Sequence, residues 1–223
     1  MTATPPPVPA LVSQLRADER ALRTATGSAF LAAARDRQVL IRTLGREPKR
    51  AAEVVKLAPA ERDDLAVRLD LERLSAQSPP QIGGVSVGAA LHAGKLLSFY
   101  QEAQRRFGIR WQLLAAINFV ESDFGRARTT ARADAQGPMQ FEPATWQRYG
   151  LGGDVYSSHD SILAAANLLA ANGGRTNERA ALEHYNRSSL YRDAVLHLAH
   201  RMTAVPTAFR EYYAWKLYLK AKR

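Results

Sequence analysis

One glutamate stands out because of the segment before it. Glu121 directly follows WQLLAAINFV, residues 111–120, which is almost wholly apolar. A glutamate is rarely fully buried unless it has a partner or a use. Apolar surroundings and the negative end of a helix dipole both disfavour a carboxylate, so this side chain is expected to hold its proton near neutral pH, as a general acid must. A carboxylate turned towards solvent at a helix end is the alternative, and this segment alone leaves both open.

Two later stretches carry side chains that suit a polar cleft. In AQGPMQFEPATW, residues 135–146, a Gly-Pro pair precedes Met139 and Gln140. This pattern predicts a tight backbone segment that presents an amide side chain just before a helix started by proline. Further along, HYN at the end of another predicted helix supplies Tyr185 and Asn186. The three stretches together predict one site assembled from separate parts of the chain.

The order and spacing of these pieces resemble a known family. VES is followed some fifteen residues later by GPMQF and PATW, and YN then precedes a last helix pair. The pattern is similar to that of the lytic transglycosylases. These are soluble and membrane-bound enzymes that cleave murein with a goose-lysozyme-like domain. The similarity covers about residues 95–203. It implies an all-α, lysozyme-like catalytic domain.

The resemblance also implies a role for each matching residue. Glu121 matches the family's single catalytic acid/base, and the residues that match its substrate-binding positions are Ser122, Gly137, Met139, Gln140, Tyr185 and Asn186. In the family the Gly-x-Met-Gln loop lines the sugar cleft and the Tyr-Asn pair flanks the acid. The departure is Pro138, where leucine is commoner, and it is expected only to stiffen the loop.

The chemistry that the resemblance implies needs one carboxyl group. Some glycosidases let the acetamido group of the substrate replace a second carboxylate. Glu121 would protonate the oxygen of the β-1,4 bond between N-acetylmuramic acid (MurNAc) and N-acetylglucosamine (GlcNAc), and would then accept a proton from the C6 hydroxyl to give a 1,6-anhydro end. Tyr185 would hold the carboxyl, while Gln140, Ser122 and Asn186 would orient the sugar. No water, metal or cofactor is expected to take part.

Two alternatives remain open. A goose-type lysozyme would hydrolyse the same bond with a second carboxylate that positions water, and Asp134, in the loop between Glu121 and the Gly-x-Met-Gln stretch, is the candidate. Asp123 is a poorer one, because residues two apart on a helix face different directions. A catalytically inactive module that binds cell-wall glycan is the second alternative, although such a module has no need of a buried acid.

The elements that must position these residues are helices. Apolar residues recur at helical spacing over residues 9–44, where Gly27-Ser28 is a candidate interruption, and LAPAERDDLAVRLDLERL forms a second amphipathic segment. No alternating strand pattern stands out, so the class is all-α. The predicted organisation is a disordered lead at 1–8, an N-terminal helical hairpin at 9–75, a linker at 76–91 and a lysozyme-like catalytic domain with a C-terminal aromatic helix at 92–223. Within the catalytic domain, helices are predicted at 92–107, 110–122, 143–149, 158–172, 177–185, 189–203 and 207–221.

Composition limits the partners. The 223 residues carry a formal charge of +10, which favours anionic partners such as peptidoglycan and acidic wall polymers, while no motif of a specific nucleic-acid binder is present. His197 and His200 lie one turn apart without an evident third ligand, so no metal site is expected. No apolar run is long enough to span a bilayer. We expect a monomer, exported to murein, whose leader is absent from this chain.

Overall fold

The protein is almost entirely helical, which confirms the predicted class. The computed structural model describes residues 6–77, 85–129 and 135–215. Its elements are α1 Val8–Thr24, α2 Gly27–Leu44, α3 Pro48–Leu57, a 3₁₀ turn Pro59–Glu61, α4 Arg62–Gln77, β1 Val85–Val87, α5 Ala93–Phe107, α6 Trp111–Ser122, β2 Ala127–Thr129, α7 Pro143–Tyr149, α8 Ser158–Ala171, α9 Glu178–Glu183, α10 Ser189–Ala204 and α11 Ala208–Ala214. The two short strands pair antiparallel, with Val85 opposite Thr129 and Val87 opposite Ala127.

The N-terminal part differs from the predicted two-helix hairpin over residues 9–75. It contains four α-helices, because the helix expected over residues 9–44 is interrupted before Gly27 and a further helix, α3, precedes α4. Thr26 is extended and Gly27 has a φ of +55°, so α1 and α2 are separate helices. Pro48 then starts α3, which the sequence pattern did not indicate, since proline suits the first turn of a helix. The predicted linker at 76–91 also holds β1, and its residues 78–84 lie outside the described part.

Helix α6 lies at the centre of the C-terminal part. It contacts α5, α8, α10 and α11, and its residues 113–117 have no exposed surface. A helix that is apolar on nearly every face is stable only when neighbours cover it on all sides. The buried central helix that the sequence predicts is therefore confirmed, and its last turn carries Glu121.

The N-terminal helices share one hydrophobic core with the helices that follow them. Helix α4 packs along α10, and α2 contacts α11. A buried ionic cluster joins the same helices: Arg37 of α2 donates hydrogen bonds to Glu61, Asp64 and Glu211, the last across 2.9 Å. Tyr212 of α11 donates to the same Asp64. The N-terminal helices thus form the support on which α10 and α11 rest.

The described ranges contain no helix that is long and apolar enough to cross a membrane. The predicted C-terminal helix at 207–221 is described only as far as residue 215, and α11 covers Ala208–Ala214 of it. Its aromatic residues are buried against α6: Phe119 lies 5.7 Å from Tyr212 and 6.2 Å from Trp215, measured between ring centroids. The aromatic face therefore packs inside the protein and braces the central helix.

Candidate active site

The chain reverses direction directly after Glu121. Helix α6 ends at Ser122, and the next three residues all have positive φ: Asp123 at 50°, Phe124 at 60° and Gly125 at 83°. Non-glycine residues rarely adopt this conformation, and such strained positions cluster at functional sites. The reversal is held by the amide of Phe124, which donates to the carbonyl of Asn118 across 3.1 Å. Glu121 is thus fixed in the last turn of a rigid helix.

Glu121 as a residue is partly exposed, and its carboxyl group holds one hydrogen bond. The hydroxyl of Tyr191 donates to its Oε1 across 2.6 Å. Loss of solvation raises the pKa of Glu121 from 4.5 to about 7, although the Tyr191 hydrogen bond acts in the opposite direction. Its Oε2 has no hydrogen bond to any residue in the described ranges. A large fraction of Glu121 therefore keeps its proton at neutral pH, as expected for a general acid.

The tyrosine that holds Glu121 is not the one that the sequence indicates. Tyr185 was the expected partner, but its hydroxyl donates to the carbonyl of Met139 across 2.6 Å. Tyr191, in the first turn of α10, makes the contact with the carboxyl instead. The two rings are nearly parallel, with an interplanar angle of 8° and 6.4 Å between centroids. Tyr185 thus packs beside the Tyr191 ring and holds the loop that contains Met139, instead of binding the carboxyl.

Side chains of α6 fasten that loop to the catalytic helix. The carbonyl of Pro138 accepts two hydrogen bonds, one from Ser122 Oγ at 2.5 Å and one from Asn118 Nδ2 at 2.8 Å. Asn118 in turn accepts a 2.6 Å hydrogen bond from the hydroxyl of buried Tyr100. Ser122 is only 1% exposed, so it holds the loop rather than facing the cleft, where it was expected to orient sugar.

The loop itself requires glycine at its first position. Gly137 has a φ of +70°, and a Cβ there would lie 1.9 Å from the carbonyl oxygen of Val155. Its carbonyl accepts a 2.7 Å hydrogen bond from Nε2 of Gln140, which also has a positive φ, of 51°. Met139 has no exposed surface and packs into the core. Consecutive carbonyls of residues 137–139 therefore all accept side-chain hydrogen bonds, which makes the loop rigid.

Asn186 joins the Tyr-Asn stretch to the start of α10. Its Oδ1 accepts a 2.9 Å hydrogen bond from the amide of Ser188, the residue that caps this helix. This contact sets the direction in which α10 begins, and hence the position of Tyr191. Asp134 lies outside the described residues, so its role as a second carboxylate stays a prediction.

A second carboxyl with a raised pKa follows closely, and it contacts a different part of the structure. Asp123 is 7% exposed, and burial raises its pKa to about 6 while nearby Arg126 lowers it. Its Oδ1 lies 3.4 Å from the Arg126 guanidinium, which also donates to the carbonyl of Tyr213 and covers that ring. Asp123 is thus tied to the contact between this turn and α11.

No group of three metal-ligating side chains occurs within the described ranges. The pair of histidines on α10 contacts carboxylates of α4: His197 lies 3.0 Å from Asp70, and His200 lies 2.6 Å from Asp63. These contacts join the N-terminal helices to α10. The two histidines therefore contribute to the packing of α4 on α10.

Sequence reasoning missed Asn118, Tyr100 and Tyr191. Asn118 had a signal, since it is a polar residue one turn before Glu121 in an otherwise apolar helix. Tyr191 lies six residues after Tyr185, and nothing in the spacing distinguishes the two as partners of the carboxyl. Which of the two hydroxyl groups reaches Glu121 depends on where α10 begins and on the direction in which it runs.

Comparisons with known proteins find similarity over the part of the chain that holds this site. Residues 98–191 match the family model of the transglycosylase SLT domain, and this range includes every site residue described above. Over 75 residues the chain is 39% identical to the membrane-bound lytic murein transglycosylase F of Thiobacillus denitrificans (strain ATCC 25259 / T1). That alignment covers 34% of this chain and 16% of the length of the relative. No solved structure matches the chain.

Proposed function

We propose that this chain, a member of the transglycosylase SLT family through residues 98–191, cleaves the β-1,4 bond between MurNAc and GlcNAc in peptidoglycan without water. The observation that carries the proposal is the place of the Glu121 carboxyl in the last turn of the buried helix α6, held at one oxygen by Tyr191, where loss of solvation raises its pKa to about 7. A carboxyl that keeps its proton at neutral pH can deliver it to a leaving oxygen and can afterwards accept another.

The first step is protonation of the leaving group. Because Oε1 of Glu121 accepts the Tyr191 hydrogen bond, the proton resides on Oε2, which has no partner among the described residues. Oε2 donates this proton to the glycosidic oxygen as the bond from C1 to that oxygen breaks. The acetamido group of MurNAc supports the positive charge that develops at C1, so a second carboxylate is not required.

The second step closes a ring within the sugar. Glu121, now ionised, accepts the proton of the C6 hydroxyl, and O6 forms a new bond to C1. One C–O bond has broken, one has formed, and the carboxyl has regained its proton. The product carries a 1,6-anhydro-MurNAc end, and no water is consumed. Tyr191 donates to Oε1 in both states and stabilises the ionised carboxyl between the steps.

The hydrogen-bonded loop at residues 137–140 explains how the substrate is positioned. Its carbonyls are tied to Ser122, Asn118 and Tyr185, which holds the backbone of the loop at Gln140 in place. Gln140 and Asn186 are both partly exposed, and we assign them the sugar and acetamido contacts. Ser122, Gly137, Met139 and Tyr185 act through the loop rather than on the sugar. Fixed geometry of this kind lowers the entropic cost of reaching the transition state.

The proposed substrate also defines where the enzyme acts. Peptidoglycan lies outside the cytoplasmic membrane, so we propose an exported enzyme. The formal charge of +10 favours encounter with an anionic wall and its acidic polymers. It acts without a cofactor and, as we expect, as a monomer.

The test of the proposal is cleavage of purified murein sacculi by Glu121→Gln. Glutamine keeps an acceptor for Tyr191 but cannot donate the proton, and general acid catalysis contributes about 10²–10⁴-fold. Because the same residue is the base, we expect a loss at or above the upper end of that range. Glu142→Gln is the matched control, since Glu142 is exposed, follows the same loop and makes no side-chain cap bond. It should keep activity within about threefold. Activity of Glu121→Gln within tenfold of the unmodified protein contradicts the proposal.

A further inference from the structure

Asn118 is the one polar residue between Leu113 and Val120 in the central helix. It lies one turn before Glu121 and is only 1% exposed. Local structure gives no reason for it, since asparagine is a poorer helix former than leucine or alanine, and a buried amide costs free energy unless it is hydrogen-bonded. The reason for an amide at this position therefore lies in the groups that it contacts.

The amide of Asn118 has only one orientation that satisfies its neighbours. The carbonyl of Pro138 accepts hydrogen bonds and cannot donate, so the atom that faces it across 2.8 Å must be Nδ2. Oδ1 therefore faces Tyr100, whose hydroxyl must act as the donor across 2.6 Å. Burial raises the pKa of Tyr100 well above its usual range, so this hydroxyl keeps the proton that it donates. A hydrogen-bond chain with a fixed direction thus runs from Tyr100 through Asn118 to the loop.

The hydroxyl of Tyr100 contributes through Asn118 alone. The ring is fully buried and packs edge-on against Phe209, with 6.1 Å between centroids. Within the described ranges the hydroxyl has no second hydrogen-bond partner. Phenylalanine would fill the same apolar space, so the hydroxyl adds nothing to the packing of the core. What it adds is a fixed amide at Asn118.

Two separate sets of contacts join the loop at residues 137–140 to the acid. The carbonyl of Pro138 is bound to α6, whose last turn carries Glu121. The next carbonyl, of Met139, is bound by Tyr185, whose ring stacks on the tyrosine that holds the carboxyl. Consecutive carbonyls are thus fixed from two parts of the chain, and together they determine the distance from the loop to the carboxyl.

We infer that Asn118 is a positioning residue for the cleavage of murein, and that Tyr100 fixes the amide through which it acts. The inference rests on the proposed function, which assigns the loop to the sugar and Glu121 to the bond that breaks. Asn118 has almost no exposed surface and is not hydrogen-bonded to the carboxyl. It acts by setting where the loop, and the sugar bound on it, lies relative to Glu121.

This role separates the rate of the chemical step from substrate binding. A displacement of about 1 Å between reacting groups costs about 10²-fold in rate. Binding of a glycan strand depends on contacts along the whole cleft, whereas bond cleavage depends on alignment with one carboxyl. Loss of the hydrogen-bond chain should therefore lower kcat and leave KM nearly unchanged.

The test replaces both members of the chain with apolar residues of similar shape, Tyr100→Phe together with Asn118→Leu. Replacing both partners of a buried hydrogen bond in this way is nearly neutral for stability, so we expect the melting temperature to stay within about 5 °C of that of the unmodified chain. With soluble, uncross-linked murein strands we expect kcat to fall by about tenfold or more and KM to change by less than about threefold.

The pH profile of kcat distinguishes positioning from a general loss of structure. The hydrogen bond from Tyr191 to Glu121 is unchanged in the double variant, so the alkaline limb should stay at the same pH while kcat falls. A cleft that opened would hydrate Glu121 and move the limb down, because loss of solvation is what raises this pKa. Tyr149→Phe is the matched control, since it removes another tyrosine hydroxyl that is hydrogen-bonded to an asparagine, Asn172, across 3.4 Å. It should keep kcat within about twofold.

Amide hydrogen exchange tests the same contacts in the absence of murein. The amide of Gln140 donates to the carbonyl of Gly137 across 3.1 Å, and the amide of Phe141 donates to that of Gln136 across 2.8 Å. We expect the peptide that spans residues 136–141 to exchange about tenfold faster or more in the double variant, and at an unchanged rate in the control. If the double variant does not fold, Tyr100→Phe alone should raise the exchange of this peptide and lower kcat by about threefold or more.

The outcomes separate this inference from the function on which it rests. An unmodified chain that cleaves no murein would contradict the proposed function, and unchanged exchange of the loop in the double variant would then contradict the hold of Asn118 on it. An active chain whose double variant keeps kcat within about threefold would overturn the inference alone. Loss of kcat only together with the melting temperature, or with a downward shift of the alkaline limb, would overturn it as well, because Tyr100 and Asn118 would then serve only the stability of the fold.

Discussion

Glu121→Gln is predicted to stabilise the folded protein at alkaline pH while it abolishes cleavage. The reason is the raised pKa of this carboxyl, about 7 in the folded state against an ordinary 4.5. Between these two values the folded state holds a proton that the unfolded state has lost. The free energy of unfolding therefore falls as pH rises from about 4.5 to 7, and above pH 7 the full cost of burying the ionised carboxyl is present.

The magnitude follows from the size of the shift. Each pKa unit corresponds to about 1.36 kcal/mol, so a shift of about 2.5 units gives an upper limit of about 3.4 kcal/mol. Glu121 is partly exposed, and solvent screening reduces this figure to about 1–3 kcal/mol. Glutamine is neutral throughout and still accepts the Tyr191 hydrogen bond, so the variant lacks the pH-dependent cost without losing the contact.

Urea unfolding at pH 4.5 and pH 8, followed by far-ultraviolet circular dichroism, measures the effect. We expect the stability of the variant relative to the unmodified protein to rise by about 1–3 kcal/mol between the two pH values. Glu53→Gln, at an exposed position of α3, should show a change of only a few tenths of a kcal/mol. A relative stability that does not change with pH, or that falls, would refute the view that Glu121 is held protonated by its surroundings.

Other contacts of the structure lead to three further predictions. Tyr191→Phe removes the hydrogen bond that lowers the pKa of Glu121, so the alkaline limb of the kcat profile should move up by as much as about one pH unit; a downward shift would contradict this role. Gly137→Ala should lower the free energy of unfolding by at least about 2 kcal/mol in urea titrations, because of the positive φ and the carbonyl 1.9 Å from the added Cβ. Arg37→Met leaves buried carboxylates unpaired and should cost about 3–5 kcal/mol, whereas Arg35→Met, exposed on the same helix, should leave the melting temperature almost unchanged.

The parts of the fold that sequence predicts best are those with local signals. The helix ending near Glu121 follows from its apolar run, α7 starts at Pro143 as expected, and α8 is capped by Ser157, whose hydroxyl accepts from the amide of Asp160. Each signal acts within a few residues of the element that it specifies. The break before Gly27 was visible only as an uncertain interruption, because glycine also occurs inside helices.

The contacts that complete the site depend instead on how helices pack. Arg37 and Glu211 are 174 positions apart, and no periodicity links them. Tyr185 and Tyr191 both lie near the start of α10, but which of them reaches Glu121 depends on the direction of that helix. Ser122 was expected at the sugar because of its place beside the acid, whereas its hydroxyl holds the carbonyl of Pro138. In each case the residue type is evident from the sequence, but the group that it contacts in the folded protein is not.

The mass of the murein fragments tests the central proposal most directly. Cleavage without water predicts MurNAc ends that are one water lighter than reducing ends, that resist borohydride reduction and that take up no heavy oxygen from labelled water. Fragments with reducible ends that contain the labelled oxygen would instead show hydrolysis, and would contradict the proposed closure of O6 onto C1 by Glu121.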